Sequence, residues 1–148
     1  MHDAQAAGRL YTAHATAFNG REGRVTTDDA ALDLVLVRPK EMGGPGGQGT
    51  NPEQLFACGY SACFGATLQA LSRARKLPLA QNEVVAHIGL VRRDEGRFVL
   101  SADLEVTLAG LSQEDAESLV QAAHETCPYS ISIKATVDVG ISLKVVEA

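Results

Sequence analysis

The chain has 148 residues, of which 45% are hydrophobic and 21% are charged. This composition fits one compact globular domain and leaves little room for a second. The formal net charge is -5 and the isoelectric point is about 5.3. Nucleic-acid binders usually present a basic surface, so the charge balance argues against that class. We therefore predict a single domain over residues 1–148.

The N-terminal segment contains no apolar stretch of about 7–15 residues, which a signal peptide needs. We expect a loose tail over residues 1–9 and a cytoplasmic protein. The run from Gln54 to Ser72 carries no charged side chain, which raises the question of a membrane span. Its polar, alanine and glycine residues argue against one.

Three short stretches of β-branched or alternating residues open the chain, at 10–18, 24–27 and 32–37. Turn-forming Asn, Gly and Asp residues separate them, which predicts an antiparallel meander. The next segment, 38–50, is rich in glycine and proline. We predict a loop there, and its length is typical of a functional loop.

A helix is predicted to begin after this loop. Asn51 suits the cap, Pro52 the first turn and Glu53 the positive end of the helix dipole. From 55 to 71 the helix is apolar or small nearly all round, so we expect the whole cylinder to be buried. Small residues would let a second backbone approach closely, which indicates a two-fold dimer. The small residues are Gly59, Ala62, Gly65 and Ala66. The alternative is a central helix enclosed within a monomer.

The second half of the chain predicts a hairpin, a helix and a final β segment. Strands at 83–92 and 97–108 flank a turn-forming Asp-Glu-Gly triplet. Ser112 resembles the start of a capping box for a helix over 113–125. Residues 131–146 are rich in Ile, Val and Thr and predict one or two strands. The order of elements indicates an α+β fold with antiparallel sheets around two main helices.

The three cysteines are too few and odd in number for a disulfide framework in a reducing compartment. They are either core packing or reactive groups. A reactive thiol needs a cation, a metal or a helix N-terminus nearby. Cys63 would lie about 16 Å along the helix from Pro52, beyond the reach of the dipole, so its cation would have to come from elsewhere. Several arginines are candidates, and the sequence pattern does not choose among them.

The other two cysteines differ in their predicted surroundings. Cys127 stands at a helix end, where we expect it to be less enclosed and free to move, as a resolving thiol should be. Cys58 lies about 140° around the helix from Cys63 and is expected simply to pack. A metal site formed by His124, Cys127 and the helix cysteines is an alternative, although zinc sites usually contain paired knuckles.

At this point several motifs resemble a known family. "GTNPEQLFACGYSACF" (49–64) and "CPYS" (127–130) closely resemble the organic hydroperoxide resistance (Ohr) branch of the Ohr/OsmC family. "YTAHATAFNGREGRV" (11–25), the "LDLVLVRP" stretch and the glycine-rich loop extend the resemblance over nearly the whole chain. The resemblance implies an intertwined homodimer whose long helices are buried between two curved sheets.

The resemblance also implies a thiol peroxidase that converts organic hydroperoxides to alcohols without metal, haem or flavin. Cys63 matches the peroxidatic cysteine and Cys127 the resolving cysteine, so a Cys63 sulfenic acid and then a Cys63–Cys127 disulfide are implied. Arg21 matches the arginine that stabilises the thiolate and the leaving alkoxide. Glu53 matches the carboxylate that orients this arginine.

Apolar residues around the implied site would favour organic hydroperoxides over hydrogen peroxide. The residues expected to bind substrate are Phe56, Tyr60, Phe64 and Met42. Lipoylated proteins or dihydrolipoamide are the implied reductant. Two departures from the family wording stand out, a cysteine at position 58 and an unusual segment after "CPYS", which leaves the conformation of 128–136 open.

The sequence is also compatible with two alternative functions. One is a non-catalytic homodimer that binds a small apolar ligand between helix and sheet. The other is an OsmC-like peroxidase or general thiol reductase that uses a different dithiol.

Overall fold

A computed structural model describes residues 8–148 of the chain. Of the tail expected over residues 1–9, residues 1–7 lie outside the described part. The chain divides into two compact units, Met1–Pro52 and Glu53–Ala148. Each unit has its own three-stranded sheet.

The first unit contains the predicted meander, with strands β1 (Ala15–Phe18), β2 (Arg24–Thr27) and β3 (Asp33–Val35). Both neighbouring pairs are antiparallel. Strand β1 begins at Ala15 rather than at the predicted residue 10, and residues 10–14 have no regular structure. Asn19 and Gly20 both have positive φ, at 56° and 54°, a backbone that these two residue types tolerate in tight turns.

The glycine-rich segment is a loop, as predicted. It contains one 3-10 turn, Lys40–Met42, and a parallel bridge joins Leu36 to Thr50. The backbone N–H of Val37 donates to Thr50 and that of Thr50 donates to Val35, at 2.9 and 2.8 Å. These bonds fix the end of the loop beside β3.

Helix α1 spans Pro52–Ala74, three residues beyond the predicted end at residue 71. Its buried residues lie on one side, at spacings of one helical turn. They are Tyr60, Phe64, Gly65, Leu68 and Ser72. Another row of α1 residues, also one turn apart, is exposed in the single chain: Cys58, Ala62, Ala66 and Ala70. In one chain by itself α1 is therefore not enclosed on all sides and Cys58 is exposed, which contradicts the alternative of a helix enclosed within a monomer. Burial of the whole cylinder in a dimer, with Cys58 packed there, stays a prediction.

The hairpin follows, with strands β4 (Gln81–Arg92) and β5 (Phe98–Ala109) in antiparallel register. Its turn contains Glu95 and Gly96, with φ of 68° and 76°. The hairpin prediction is confirmed. Both strands extend one or two residues beyond the predicted ends at the side away from the turn.

Helix α2 spans Gln113–Thr126, and the Ser112 hydroxyl accepts the N–H of Asp115 at 3.1 Å. A short helix α3, Pro128–Ile133, comes next. The predicted strand from residue 131 is therefore wrong at its start. Pro128 occupies the first helical turn, where its missing N–H costs nothing, and this start prevails over the β propensity of the isoleucines.

Strand β6 spans Val139–Val146 and pairs with β5 in parallel. The α+β class with two main helices is confirmed, but this one pairing differs from the expected antiparallel order. A parallel partner needs a crossover connection, and here residues 110–138 supply it with α2 and α3. The segment that carries Cys127 is thus part of a crossover rather than a hairpin.

The core of the second unit lies where the inner face of the β4–β5–β6 sheet meets α1 and α2. Each contributes fully buried side chains. The largest are Tyr60, Phe64, Leu68, Leu104, Leu108 and Leu119. Within residues 8–148, every helix is too short or too polar to cross a membrane.

Candidate active site

Two thiols meet inside the second unit. Cys63 lies on α1 and is partly buried, while Cys127 stands between α2 and α3 and is completely buried. The Cys127 thiol donates a hydrogen bond to the Cys63 sulfur, with the two sulfurs 3.4 Å apart. Both cysteines are free thiols. The structure therefore brings together two of the four residues to which the family resemblance gives catalytic roles.

The backbone holds Cys127 from both sides. Its N–H donates to the Ala123 carbonyl at 2.8 Å, and its own carbonyl accepts the N–H of Ile131 at 2.9 Å. Cys127 is thus the C-cap of α2 and the residue before α3. The expectation that Cys127 is less enclosed is wrong, because its side chain is completely buried and α3 begins at the next residue. Its freedom to move stays a prediction.

The Cys63 thiol has a raised pKa. Burial is the largest cause, since it disfavours the charged thiolate. The backbone N–H of Tyr129 donates to the sulfur and opposes this effect by lowering the pKa. The net direction is upward. A further positive group is needed if Cys63 is to ionise at neutral pH.

An aromatic cluster adjoins the thiol pair. The Tyr129 ring stacks on Tyr60 with centroids 5.9 Å apart and tilts against Phe56 at 5.7 Å. Phe64 meets Tyr60 edge-on at 6.4 Å. A Cβ added at Gly59 would come within 2.8 Å of the Tyr129 hydroxyl, so glycine leaves the space that this ring occupies. Tyr129 was missed by sequence reasoning, although the "CPYS" motif contains it.

Three polar side chains form an array beside this cluster. The Tyr60 hydroxyl lies 2.6 Å from the Ser130 Oγ, and the same Oγ lies 3.1 Å from Nδ1 of His124. Tyr60 and Ser130 are completely buried. Burial raises the pKa of the Tyr60 hydroxyl and, together with Lys134, lowers the pKa of His124. The sequence pattern gave His124 a role only in the metal-site alternative and gave Ser130 none.

The remaining predicted residues divide between the two units. Arg21 lies in the 3-10 turn Gly20–Glu22, and its Nη1 is 4.0 Å from the Met42 sulfur. Both belong to the first unit. Glu53 is in the first turn of α1 and belongs to the second, as do the cysteines. The pairing of Arg21 with Glu53 stays a prediction.

The predicted substrate-binding residues differ in exposure. Tyr60 and Phe64 are completely buried, Phe56 is partly buried, and Met42 is exposed. As for the metal alternative, no three His, Cys, Asp or Glu side chains gather closely enough within residues 8–148 to hold an ion. His124 instead contacts Ser130.

Comparisons with known proteins place the chain in a family. The model of the family described as OsmC-like protein matches residues 44–142. The organic hydroperoxide resistance protein of Xanthomonas axonopodis pv. citri (strain 306) is 43% identical over 135 residues, which cover 90% of this chain and 94% of that protein. The chain belongs to the Ohr branch of the Ohr/OsmC family. It is also 41% identical to the organic hydroperoxide resistance protein OhrB of Bacillus subtilis (strain 168) over 136 residues, 91% of this chain and 98% of that one.

Solved structures of the family agree with the fold. The chain is similar to a crystal structure of an organic hydroperoxide resistance protein from Legionella pneumophila, with a TM-score of 0.89 and 44% sequence identity. That match covers 93% of this chain and 99% of the other. The resemblance inferred from the "CGYSACF" and "CPYS" motifs is thereby confirmed.

Proposed function

We propose that this protein is a cysteine-based peroxidase that reduces alkyl, aryl or fatty-acid hydroperoxides to alcohols and so contributes to organic hydroperoxide resistance. The observation that carries the proposal is the 3.4 Å approach of the Cys63 and Cys127 sulfurs in a chain of the Ohr family. A hydrogen-bonded thiol pair beside an aromatic cluster suits a two-cysteine redox cycle on an apolar substrate.

The cycle has two steps on the protein. The Cys63 thiolate attacks the terminal peroxide oxygen, the O–O bond breaks, and the alkoxide leaves as an alcohol after taking up a proton. Cys63 is then a sulfenic acid. The Cys127 sulfur attacks the Cys63 sulfur, the S–O bond breaks, and the hydroxyl group leaves as water with the Cys127 proton. The product is the Cys63–Cys127 disulfide.

An external dithiol closes the cycle by thiol–disulfide exchange and is itself oxidised to a disulfide. We propose lipoyl groups on lipoylated proteins, or free dihydrolipoamide, for this role. A reducing compartment keeps such dithiols available, and we propose that the protein works in the cytoplasm. The rival reading, an OsmC-like enzyme with another reductant, is distinguished by which dithiol sustains turnover.

A cation is required because burial raises the pKa of the Cys63 thiol. We assign this role to Arg21, whose guanidinium is always charged and would stabilise both the thiolate and the leaving alkoxide. Glu53 would hold the planar guanidinium by a bidentate pair. In the first unit Arg21 contacts the thioether of Met42. The apolar Met42 side chain beside the proposed cation would suit the tail of an organic substrate.

The substrate tail is proposed to contact the aromatic cluster. Phe56 is only partly buried and Tyr129 is exposed over 38% of its surface. Tyr60 and Phe64, which are completely buried, would form the floor beneath them. Hydrogen peroxide offers no apolar area to bury, so this surface would discriminate against it.

We also propose that the protein is an intertwined homodimer. The exposed row on α1, Cys58, Ala62, Ala66 and Ala70, is uncharged and made of small side chains. Such a row allows close approach of a second helix. The proposal is tested by measuring the mass in solution by light scattering, and a monomer at micromolar concentration would contradict it.

The enzymatic proposal is tested by mass spectrometry of the reduced protein. One sample receives one equivalent of cumene hydroperoxide and a matched sample receives hydrogen peroxide. We expect the organic peroxide to remove about 2 Da rapidly and to link the peptides of Cys63 and Cys127. The Cys58→Ser variant should behave identically, and the Cys63→Ser variant should stay reduced.

Two results would contradict the peroxidase. One is that the thiols stay reduced under the organic peroxide, and the other is that Cys58 forms the disulfide instead. Retention of an unreacted apolar ligand by the Cys63→Ser variant and the wild type alike, without peroxide consumption, would favour the non-catalytic dimer.

A further inference from the structure

We infer that Ser130 and His124 are positioning residues for the second step of the proposed reaction, in which Cys127 meets the oxidised Cys63. The inference rests on the proposed function. Neither side chain is assigned to the reacting atoms. Their role is to hold the segment that carries Cys127 against α1 through Tyr60.

Each cysteine of the thiol pair has a hydrogen-bonding residue three positions away in the sequence. Tyr60 precedes Cys63 by three residues on α1, so the two side chains lie on neighbouring turns of the same face. Ser130 follows Cys127 by three residues, in the first turn of α3. The Tyr60–Ser130 bond, 2.6 Å long across 70 residues, therefore joins the same two segments as the thiol contact across 64 residues. It is a second link, one turn away from each sulfur.

His124 extends this link to α2. It lies three residues before Cys127 on the last turn of that helix, and its Nδ1 is 3.1 Å from the Ser130 Oγ. Contacts from α1, α2 and α3 thus converge on one buried hydroxyl. Among the described residues, no buried side-chain oxygen or nitrogen lacks a hydrogen-bond partner.

One arrangement of protons satisfies all three groups. The Tyr60 hydroxyl donates to Ser130, and the Ser130 hydroxyl donates to the neutral Nδ1 of His124. Burial and Lys134 lower the pKa of His124, with Glu125 opposing them, so the imidazole is neutral near pH 7. A protonated His124 would have to donate from Nδ1, which reverses its bond with Ser130 and forces the Ser130 proton toward Tyr60.

The array matters because the sulfenic acid on Cys63 has two fates. Attack by the Cys127 sulfur gives the disulfide and one water. Attack on a second hydroperoxide molecule gives a sulfinic acid and one alcohol, and that product is not rescued by thiols. A less well positioned Cys127 leaves the first oxidation intact and shifts this competition toward the sulfinic acid. The ratio of sulfinic acid to disulfide therefore measures how well Cys127 is positioned.

The test uses the full-length reduced protein with increasing equivalents of cumene hydroperoxide. Mass spectrometry measures the fraction of Cys63 found as disulfide, about 2 Da lighter, or as sulfinic acid, about 32 Da heavier. We expect Ser130→Ala and His124→Leu to raise the ratio of sulfinic acid to disulfide by about tenfold, the effect of one lost hydrogen bond on a rate. The rate of the first oxidation should change by less than about twofold on the same scale.

Matched variants separate positioning from general damage. Ser132→Ala removes a hydroxyl from the same short helix. Ser132 is exposed and donates to the Pro128 carbonyl at 2.8 Å, so this variant should behave as wild type. His124→Gln restores a neutral acceptor for Ser130 and should recover most of the disulfide. The wild-type ratio should also rise on acidification more steeply than that of His124→Gln, because only the imidazole is protonated.

The outcomes are distinguishable from failure of the proposed function. Suppose that wild type forms the disulfide, and that Ser130→Ala and His124→Leu give the same ratio of sulfinic acid to disulfide as wild type and Ser132→Ala. The inference about Ser130 and His124 is then overturned, while the proposed peroxidase stands. If Ser130→Ala does not fold, the pH comparison between wild type and His124→Gln decides, and parallel profiles would overturn the inference. If wild type itself forms no disulfide, the proposed function fails.

Discussion

The sulfurs of Cys63 and Cys127 lie 3.4 Å apart although 64 residues separate them in the sequence. A disulfide has a sulfur–sulfur distance of about 2.05 Å, so the pair needs to close by only about 1.4 Å. The scaffold therefore holds the two reduced thiols close to the geometry of the proposed product. Large movements of α3 are unnecessary for the bond to form.

The first prediction concerns the resolving thiol. Cys127→Ser keeps a side chain of similar size but removes the sulfur that attacks the sulfenic acid. We expect the first equivalent of organic hydroperoxide to be consumed within about threefold of the wild-type rate, with sulfinic acid accumulating on Cys63 in place of the disulfide. Stopped-flow peroxide consumption and mass spectrometry measure the two quantities. A variant with no first turnover would contradict the division of roles.

The second prediction concerns the ionisation of Cys63. Because burial raises the pKa of this thiol, removal of the proposed cation in Arg21→Gln should raise it further. At neutral pH the oxidation of Cys63 should then slow by about tenfold to a hundredfold. Thiolate absorbance followed against pH gives the ionisation directly.

A matched control for the arginine is available in the same unit. Arg24 pairs with Asp33 at 2.6 Å on neighbouring strands, and Arg24→Gln removes the same charge from the chain. We expect this control to leave the Cys63 titration unchanged. Equal shifts in both variants would show that net charge, rather than a specific contact, sets the ionisation.

The third prediction concerns the space beside the aromatic cluster. Gly59→Ala would bring a methyl group to within 2.8 Å of the Tyr129 hydroxyl and 3.2 Å of its ring. Overpacking should cost more than the gain in helix propensity, for a net loss of about 1 kcal/mol in the free energy of unfolding. Urea denaturation measures it. The same substitution in a Tyr129→Phe background should cost less, and equal costs would refute the contact.

The fourth prediction concerns the start of α2. The Ser112 hydroxyl accepts the N–H of Asp115 at 3.1 Å and donates to its carboxylate at 2.9 Å. Ser112→Ala should lower the free energy of unfolding by about 1 kcal/mol. Thermal denaturation checks this, with Gln121→Ala on the exposed side of the same helix as the neutral comparison. No change at Ser112 would mean that the cap contributes little.

The fifth prediction concerns pH and folding. The pKa of His124 is lowered in the folded protein, so the unfolded chain binds a proton more readily. The stabilising contribution is complete above the ordinary histidine pKa of about 6.5 and is lost as pH falls below it. Wild type should therefore lose more stability between pH 7 and pH 5 than His124→Gln. Urea midpoints at several pH values test this, and identical slopes would argue against it.

Local signals in the sequence predicted most of the secondary structure. The Asn-Pro-Glu start of α1 and the Asp-Glu-Gly turn of the hairpin depend on neighbours in the chain, and the structure confirms both. Helix α3 was missed because Ile131 and Ile133 favour strands in isolation, whereas Pro128 and the burial of Ser130 decide the conformation. The parallel pairing of β6 with β5 is a non-local choice that periodicity does not encode.

The site was predictable only in part, for the same reason. Cys63 and Cys127 followed from family motifs, and their contact is present in the structure. The enclosure of Cys127 was not predictable, because it depends on α3 beginning at once. The contacts of Ser130 with Tyr60 and His124 were not predictable either, since they form only when the fold brings α1, α2 and α3 together.

The exposure of Cys58 turns an unusual residue into a reporter. In the single chain Cys58 is the exposed thiol, whereas Cys127 is completely buried. A bulky maleimide would therefore label Cys58 first, and surveys of reactive thiols would highlight the cysteine that the proposed chemistry does not use. If a second copy covers the exposed row on α1, the labelling rate of Cys58 will fall as the protein concentration rises. The natural sequence thus contains a built-in probe of self-association that needs no engineered tag.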